Sequence, residues 1–278
     1  MAARPPNPLS NSEPWDLVAK GYAEEATTIM IPFSNLALEL AEVGPTTRVL
    51  DVATGPGTLA LLAAERAKSV DAIDFSESML AELQQALAAR KLENVRASVG
   101  DGQALSFPDD SFDAAFSMFG LMFFPDRSKG FSELFRVLAP GGVAVVSSWA
   151  PIDESSLMTL MFGAIRAADP SRPAPQKDLL SLENAELFER ELRDAGFSEV
   201  RVTAHEKAFP LSAGVDELWE RMAKSSAPLV LMRRRLGEEQ WAKQAELARA
   251  YLRERLSGPP FPLTTKAYLG FGRKPRAT

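Results

Sequence analysis

The chain has 278 residues, of which 46% are hydrophobic and 24% charged, and its formal net charge is −6. This composition is ordinary for a globular protein and provides no excess of basic residues for holding nucleic acid or an anionic membrane. The absence of cysteine and the single histidine, His205, exclude disulfides, thiolate metal sites and clusters of several histidines. The first ten residues contain three prolines and lack the apolar run of a signal peptide, so we expect a cytoplasmic protein without metal.

The first 44 residues precede the regular part of the chain. Residues 1–13 are rich in Pro, Asn and Ser without periodicity, and we predict that they are disordered. Residues 14–44 have helical periodicity that ends at the pair Gly44-Pro45. Trp15 and Tyr22 share one face of this helix, which leaves two interpretations: packing onto the domain, or a lid over a binding site.

Residues 45–150 alternate between short strands and helices. The pattern predicts strands at 48–53, 69–74, 95–99, 112–119 and 143–149, helices at 57–67, 77–91 and 127–138, and a turn at 140–142. Such alternation is typical of βαβ units, and the right-handed crossover rule places their helices on both faces of the sheet. The predicted fold class is therefore α/β, with a doubly wound, mostly parallel sheet.

After residue 150 the pattern changes, and residues 151–278 are predicted to complete the sheet. Helices are expected at 155–168, 185–195, 215–224 and 238–256, and strands at 199–209 and 262–273. A helical insertion of about residues 213–258 separates the two strands and is predicted to form a substrate lid, with the apolar stretch 229–232 as a candidate part of it. The run Arg233-Arg234-Arg235 is interpreted as a solvated helix face.

The loop after the first predicted strand carries the first indication of a ligand. Gly55 and Gly57 allow a ligand close to the backbone, and the pattern G-P-G-T-L-A also fits a dinucleotide-binding loop. Asp51, however, would repel a pyrophosphate, and Pro56 removes one backbone donor. A carboxylate at this place attracts an ammonium or sulfonium group instead, and S-adenosylmethionine (SAM) carries both.

Two further acidic residues follow the next two predicted strands. Asp74 lies 17 positions after Gly57, close to the spacing of about 20 residues at which an acidic residue binds a ribose diol. Asp101, between two glycines, is a candidate acceptor for the amino group of an adenine ring. An NAD-binding protein would use Asp74 but would leave Asp51 and Asp101 without a role.

Five segments between residues 45 and 150 resemble the class I SAM-dependent methyltransferases in their order and spacing. They match the small-molecule branch that includes the ubiquinone/menaquinone-type enzymes. The segments are VLDVATGPGTLA (49–60), VDAIDFSESML (70–80), VGDGQALSFPDDSFD (99–113), FSMFGLMFFPD (116–126) and FRVLAPGGVAVV (135–146). Ala53-Thr54 and Gly55-Pro56-Gly57 depart from residues common in the family, which are Gly-Cys or Gly-Thr and Gly-Thr-Gly, but keep its spacing. The resemblance implies a Rossmann-like methyltransferase fold with SAM as cofactor.

The resemblance also implies roles for residues at matching positions. The expected cofactor-binding residues are Asp51, Ala53, Gly55, Gly57, Asp74, Phe75, Met79, Asp101, Gly102, Gln103, Ser117 and, from the N-terminal helix, Tyr22. The expected substrate pocket contains Trp15, Phe119, Met122 and Trp149.

We therefore predict a SAM-dependent methyltransferase that acts on a small, apolar or aromatic metabolite through an O, N or C acceptor atom that the sequence leaves open. The lid segments are helical and apolar rather than basic, which favours a small molecule over nucleic acid or a membrane as partner. Two alternatives remain, an NAD-dependent oxidoreductase and a non-catalytic SAM-binding protein. His205 is a candidate general base, although the polar face that it shares with Arg201 and Thr203 favours an exposed position. The sequence does not indicate the oligomeric state.

Overall fold

A mostly parallel sheet forms the centre of the computed structural model, which describes residues 7–171, 181–256 and 258–276. Its strands are β1 (Arg48–Val52), β2 (Ser69–Asp74), β3 (Val95–Val99), β4 (Phe112–Met118), β5 (Leu138–Trp149), β6 (Ser198–Leu211) and β7 (Phe261–Arg273). They are ordered β3-β2-β1-β4-β5-β7-β6. Strands β1 to β5 are parallel to one another, whereas β7 is antiparallel to both β5 and β6. The predicted α/β fold class is confirmed.

Helices cover both faces of the sheet. The helices are α1 (Glu13–Gly21), α2 (Thr27–Leu40), α3 (Thr58–Ala64), α4 (Glu77–Arg90), α5 (Arg127–Val137), α6 (Ser156–Ala168), α7 (Ala185–Asp194), α8 (Val215–Ser225) and α9 (Ala227–Arg255). Apolar residues of α2, α3 and α4 pack on one face in a core that includes Phe33 and Leu83. Residues of α5 and α7, among them Phe131 and Phe188, pack on the other. This two-sided coverage buries the central strands β1 and β4 along most of their length, as expected for a parallel sheet.

The N-terminal segment is more ordered than the sequence indicated. Disorder was predicted for residues 1–13, but residues 7–13 are part of the described structure, with a 3-10 turn at Pro8–Ser10. The Asn7 side chain accepts a hydrogen bond from the Leu9 N–H at 3.0 Å, and the Trp15 indole N–H donates to the Leu9 carbonyl at 2.9 Å. These contacts to the following helix hold the turn, which propensity alone could not reveal. Residues 1–6 lie outside the described residues.

Helices α1 and α2 are joined by a π-helical turn at Tyr22–Ala26. Single π turns inside helices are rare overall, and those that occur are frequently located at functional sites. Gly21, the last residue of α1, packs so closely on the Lys224 backbone of α8 that a Cβ atom there would overlap it. The N-terminal helices therefore lie against the C-terminal insertion as well as against the sheet.

Two boundaries after residue 137 differ from the sequence prediction. The turn expected at 140–142 belongs to the start of β5, because Gly141 donates to the Lys274 carbonyl at 2.9 Å and Lys274 donates back to Gly142 at 2.8 Å. Helix α9 consists of two segments that meet at Gly237, whose φ of 73° and ψ of 165° are not helical; the second segment matches the predicted helix at 238–256, whereas the first, which begins at Ala227, was not predicted. The first segment buries Leu229 and Met232 together with residues of α6 and α8, a tertiary contact that the local sequence pattern does not reveal.

The C-terminal insertion and α6 share a second apolar core. Helices α6, α8 and α9 bury apolar side chains together, with Trp219 and Trp241 stacked at 5.6 Å between ring centroids. Among the residues that the structure describes, no helix has both the length and the apolarity needed to cross a bilayer.

Candidate functional site

A cleft opens at the carboxyl ends of the parallel strands, where ligands of open α/β sheets bind. We name it the first cavity; its volume is about 100 Å³. It brings together most residues that the sequence assigned to the cofactor: Tyr22, Asp51, Ala53, Gly55, Asp74, Phe75, Met79, Asp101, Gly102 and Gln103. Gly57 and Ser117 are not among its lining residues.

Asp51 forms the buried floor of the first cavity. Its side chain is 1% exposed, and Oδ2 accepts a hydrogen bond from the Thr54 hydroxyl at 2.6 Å. Oδ1 is also buried and has no hydrogen-bond partner of normal geometry, although the backbone N–H of Ala60 acts to lower the pKa of this carboxyl. Burial raises the pKa of Asp51 to about 7, and the neighbouring Asp74 carboxylate contributes to the same shift. A cationic group in the cleft would provide the partner that Oδ1 lacks within the protein.

Asp74 ends β2 and connects two segments of the cleft wall. Its Oδ2 accepts from the Gly55 N–H at 2.8 Å, and its Oδ1 accepts from the Ser76 N–H at 2.9 Å. Burial raises the pKa of Asp74 to about 6, against the opposing effect of these backbone donors. Each carboxylate oxygen can accept a further hydrogen bond, so Asp74 retains the capacity to bind a diol.

The two loop glycines, Gly55 and Gly57, differ in what a Cβ atom at each position would contact. Gly55, with φ of 57°, lines the cleft and has no protein atom within 4 Å of the position of a Cβ atom. Gly57, with φ of 86°, lies behind the loop, where a Cβ atom would overlap Leu83 of α4. The sequence placed both glycines beneath the ligand; the structure assigns Gly57 to the packing of the loop on α4.

Asp101, Gly102 and Gln103 form the far wall of the cleft. The Asp101 Oδ1 atom accepts from the backbone and side-chain N–H groups of Gln103 at 2.8 and 3.2 Å, and the Gln103 Oε1 atom accepts from Asp126 N–H at 2.9 Å. A Cβ atom on Gly102 would lie 2.5 Å from Phe124 Cζ and 2.7 Å from Val52 Cγ1. A ring that enters here meets an acidic acceptor fixed by its neighbours and a backbone without a side chain.

Ser117 does not reach the cleft, in contrast to the sequence expectation. It is fully buried, and its hydroxyl oxygen accepts from the Leu121 N–H at 3.1 Å. The strand alternation turns its side chain into the turn at Leu121–Phe123, and the following residue, Met118, lines the cleft instead.

The N-terminal helices close one side of the cleft. Trp15 contacts Tyr22 edge to face at 5.9 Å and Phe123 at 5.4 Å between ring centroids. The Tyr22 hydroxyl donates to Met30 Sδ at 3.4 Å, and burial raises the pKa of its phenol. Trp15 and Tyr22 also line a second cavity, so the N-terminal helices lie where the two cavities meet.

Asp16 of α1 accepts hydrogen bonds from the start of α4, the helix that follows Asp74. Its Oδ1 accepts from the Ser76 hydroxyl at 2.6 Å and from the Ser78 N–H at 3.3 Å. The Ser76 hydroxyl oxygen in turn accepts from the Met79 N–H at 3.1 Å and caps α4. Because Ser76 also donates its backbone N–H to Asp74, α1 and the Asp74 carboxylate share one hydrogen-bonded segment.

The second cavity has a volume of about 480 Å³ and an apolar lining. The predicted pocket residues Trp15, Phe119, Met122 and Trp149 all line it. Phe119 and Trp149 stack at 4.0 Å between ring centroids, with 25° between their planes. The two cavities share the following wall residues: Leu9, Trp15, Tyr22, Met30, Phe119 and Phe123.

His205 lies apart from both cavities. It is on β6, the edge strand of the sheet, and its Nε2 is 2.7 Å from the Thr203 hydroxyl. Partial burial lowers its pKa, and Lys207 acts in the same direction. The structure does not bring this histidine to a place where it could act on a ligand in either cavity.

Several lining residues were not identified from the sequence. Thr54 is marked by its place in the glycine loop, whereas Leu9 lies in a segment interpreted as disordered. Helices α6 and α8 contribute further apolar residues to the second cavity, among them Met161 and Met222. The helices that carry these residues were predicted, but apolar periodicity does not show whether an apolar side chain lines a cavity or packs in the core.

Comparison with known proteins indicates the family to which the chain belongs. Residues 49–142 match a family model described as a methyltransferase domain. A demethylmenaquinone methyltransferase of Listeria welshimeri is 31% identical over 190 residues, which cover 60% of this chain and 77% of that protein. An uncharacterized protein of Mycobacterium tuberculosis is 37% identical over 158 residues, 57% of this chain and 55% of its own, so the chain spans about half the length of this relative.

The fold also matches solved structures over nearly its whole length. The [4+2]-cyclase SpnF superposes with a TM-score of 0.61 and 21% identity and covers 98% of this chain and 99% of its own. At this identity the likeness concerns the fold alone. The identity with the Listeria enzyme over most of its length, together with the methyltransferase domain, establishes the family. The chain belongs to the family of SAM-dependent methyltransferases and resembles its ubiquinone/menaquinone-type branch.

Proposed function

We propose that this chain transfers a methyl group from SAM, held in the first cavity, to a small apolar or aromatic molecule held in the second. The observation that carries the proposal is that a cleft with three carboxylates, those of Asp51, Asp74 and Asp101, shares a wall with an apolar chamber, and that the shared wall includes Tyr22, Met30 and Phe119. A cofactor and an acceptor on the two sides of this wall would meet where the aromatic side chains exclude water.

The residues of the first cavity fit SAM. Asp51 offers a buried oxygen without a partner to the positive end of the cofactor, Asp74 offers acceptors to its ribose, and Asp101 offers an acceptor beside a glycine to its adenine. When bound, SAM supplies a methyl group on a sulfonium, which is already a good leaving group. A pyrophosphate would instead lie beside the buried Asp51, so the same floor disfavours NAD.

The second cavity would contribute mainly by holding the acceptor in line. The stacked pair Phe119–Trp149 provides a flat apolar wall next to the shared boundary. The described lining contains no histidine, and the raised pKa of Tyr22 makes its phenol a hydrogen-bond donor rather than a base near pH 7. We therefore propose that proximity and exclusion of water at the reacting atoms carry the reaction, and that the proton that the acceptor loses on methylation passes to solvent as the product leaves.

The Listeria relative, a demethylmenaquinone methyltransferase, suggests the first acceptors to test. We propose a panel of dihydroxynaphthalenes, simple phenols and aromatic amines, incubated with SAM that carries a radiolabelled methyl group. Transfer of the label to at least one uncharged aromatic acceptor is the expected result. Binding of S-adenosylhomocysteine (SAH) without transfer to any class of acceptor would instead favour a non-catalytic SAM-binding protein.

Two variants locate the acceptor. Met161→Trp places a larger side chain on the wall of the second cavity and should reduce transfer at least tenfold while SAH affinity stays within about twofold. Leu247→Trp, at a position that is 52% exposed and lines neither cavity, serves as the matched control and should not change transfer. Equal activity of the two variants would contradict the assignment of the second cavity to the acceptor.

A further inference from the structure

The second cavity contains few charged groups. Among the described residues that line it, Arg221 is the one basic side chain, and Glu25 and Glu183 are the acidic ones. An isolated guanidinium on an apolar wall would be a binding site for a carboxylate, sulfonate or phosphate group. Whether Arg221 can act in this way depends on what surrounds it.

Arg221 is held between two carboxylates. Its Nε lies 3.6 Å from Glu25 Oε2, and its Nη2 donates to Glu217 Oε1 at 2.5 Å. Glu217 precedes Arg221 by one turn of α8 and does not line the cavity, whereas Glu25 lines it. The Glu25 side chain is 21% exposed and that of Glu217 is 56% exposed, so Glu25 is the more sheltered of the two partners.

Glu25 reaches this position from the π-helical turn of the lid. Tyr22, Glu25, Ala26, Ile29 and Met30 follow one another along the same side of the N-terminal helices, and all of them line the second cavity. The lid thus carries an apolar stripe with one carboxylate in it. That carboxylate meets the guanidinium that α8 places on the opposite wall.

We propose that Glu25 sets the charge selectivity of the second cavity: by pairing with Arg221 it makes the cavity accept uncharged apolar molecules and reject their anionic analogues. The proposal deepens the proposed function, on which it rests, because it assigns the acceptor to uncharged aromatic compounds rather than to aromatic acids. It also assigns to Glu25 a role that neither its sequence neighbours nor the family motifs indicate.

The physical basis is the balance of charges around an incoming anion. The Arg221 side chain is 44% exposed, so an anion beside it would lose part of its hydration and would meet the repulsion of Glu25 and Glu217 together with the attraction of one guanidinium. An uncharged molecule with the same apolar body loses little hydration and gains the apolar walls. Without the charge on Glu25, the guanidinium would face the cavity with only the outer carboxylate to offset it.

Two fluorescent probes test this difference directly. N-phenyl-1-naphthylamine is uncharged, and 8-anilinonaphthalene-1-sulfonate has the same ring framework with one added sulfonate. We expect the wild-type protein to bind the uncharged probe at least tenfold more tightly than the sulfonate. The Glu25→Gln substitution should tighten sulfonate binding about tenfold and leave the affinity for the uncharged probe within about twofold.

Matched variants show where the effect arises. The double substitution Glu25→Gln with Arg221→Gln should return sulfonate affinity to the wild-type value, because the guanidinium is then absent. Glu217→Gln, on the exposed side, should give a smaller gain of about threefold and remains available if Glu25→Gln does not fold.

Three outcomes would overturn the proposal. They are equal wild-type binding of both probes, a Glu25→Gln variant that binds both more tightly to the same extent, and a sulfonate gain that persists without Arg221. Calorimetric titration of the same samples with SAH tests the proposed function separately. If the wild-type protein does not bind SAH but still binds the uncharged probe more tightly than the sulfonate, the proposed methyl transfer is refuted and the proposed role of Glu25 is not.

Discussion

The two buried carboxylates of the first cavity should make cofactor binding depend on pH. Burial raises the pKa of Asp51 to about 7 and that of Asp74 to about 6. If SAH binds the form in which both are ionised, then lowering the pH from 8 to 6 reduces the ionised fraction of Asp51 about tenfold and that of Asp74 about twofold. The predicted loss of SAH affinity between pH 8 and pH 6 is therefore about twentyfold, and binding at pH 6 should release protons.

The same groups link stability to pH with a defined sign. In the ligand-free protein both acids keep protons at pH values where the unfolded chain has lost them, so their contribution to the free energy of unfolding falls as the pH rises through 4 to 7. SAH binding favours the ionised forms and offsets this loss. The increase in melting temperature caused by SAH should therefore be larger at pH 8 than at pH 6.

Calorimetric titration with SAH at several pH values, in buffers of different ionisation enthalpy, measures both the affinity and the proton release. Asp51→Asn is the control, because it keeps the shape of the side chain and removes the group that titrates near pH 7. Its affinity should be weaker at pH 8 and should change only about twofold down to pH 6. A wild-type affinity that is independent of pH, or a variant with the full twentyfold change, would refute the reasoning.

Four further predictions concern single residues. Asp74→Ala should weaken SAH binding about tenfold to a hundredfold in calorimetry, because bonds to a charged group contribute roughly 1.5–3 kcal/mol; an unchanged affinity in a folded variant would refute its assignment. Gly57→Ala should lower the free energy of unfolding in urea by roughly 1–3 kcal/mol through overlap in the core, whereas Gly55→Ala should chiefly weaken SAH binding. Asp16→Ala should make α1 more susceptible to protease in the presence of SAH. Asp16→Asn keeps a side-chain oxygen that can accept from Ser76 and Ser78, so it should preserve most of the protection from cleavage. Equal cleavage of the two variants would count against the role of this hydrogen bond. His205→Ala should keep turnover within a few-fold of wild type, and a drop beyond a hundredfold would identify it as a base.

The parallel half of the fold could be predicted from the sequence because local pattern and tertiary burial agree there. Predicted strands at 69–74 and 95–99 match β2 and β3 to the residue. The three acidic residues were grouped correctly because parallel strands end at the same edge of a sheet, so Asp51, Asp74 and Asp101 all line one cleft. That inference needed only the order of strands and helices.

The remaining features depend on contacts between segments that are distant in the sequence. The turn at residues 8–10 is held by Trp15, and the start of α9 is buried by α6 and α8, so local composition is misleading at both places. The family resemblance assigned Ser117 to the cleft, but its hydroxyl is directed into the turn that follows the strand, where it accepts from the Leu121 N–H. The pairing of Glu25 with Arg221 joins residues 196 positions apart and leaves no local signal.

A crystal structure of the protein with bound SAH tests the central claim most directly. The account predicts the ribose hydroxyls on the Asp74 carboxylate, the adenine beside Asp101 and Gly102, and the sulfur directed at the wall of Tyr22 and Phe119 that separates the two cavities. A sulfur atom directed away from the second cavity, or SAH bound outside the cleft, would contradict the assignment of that cavity to the methyl acceptor.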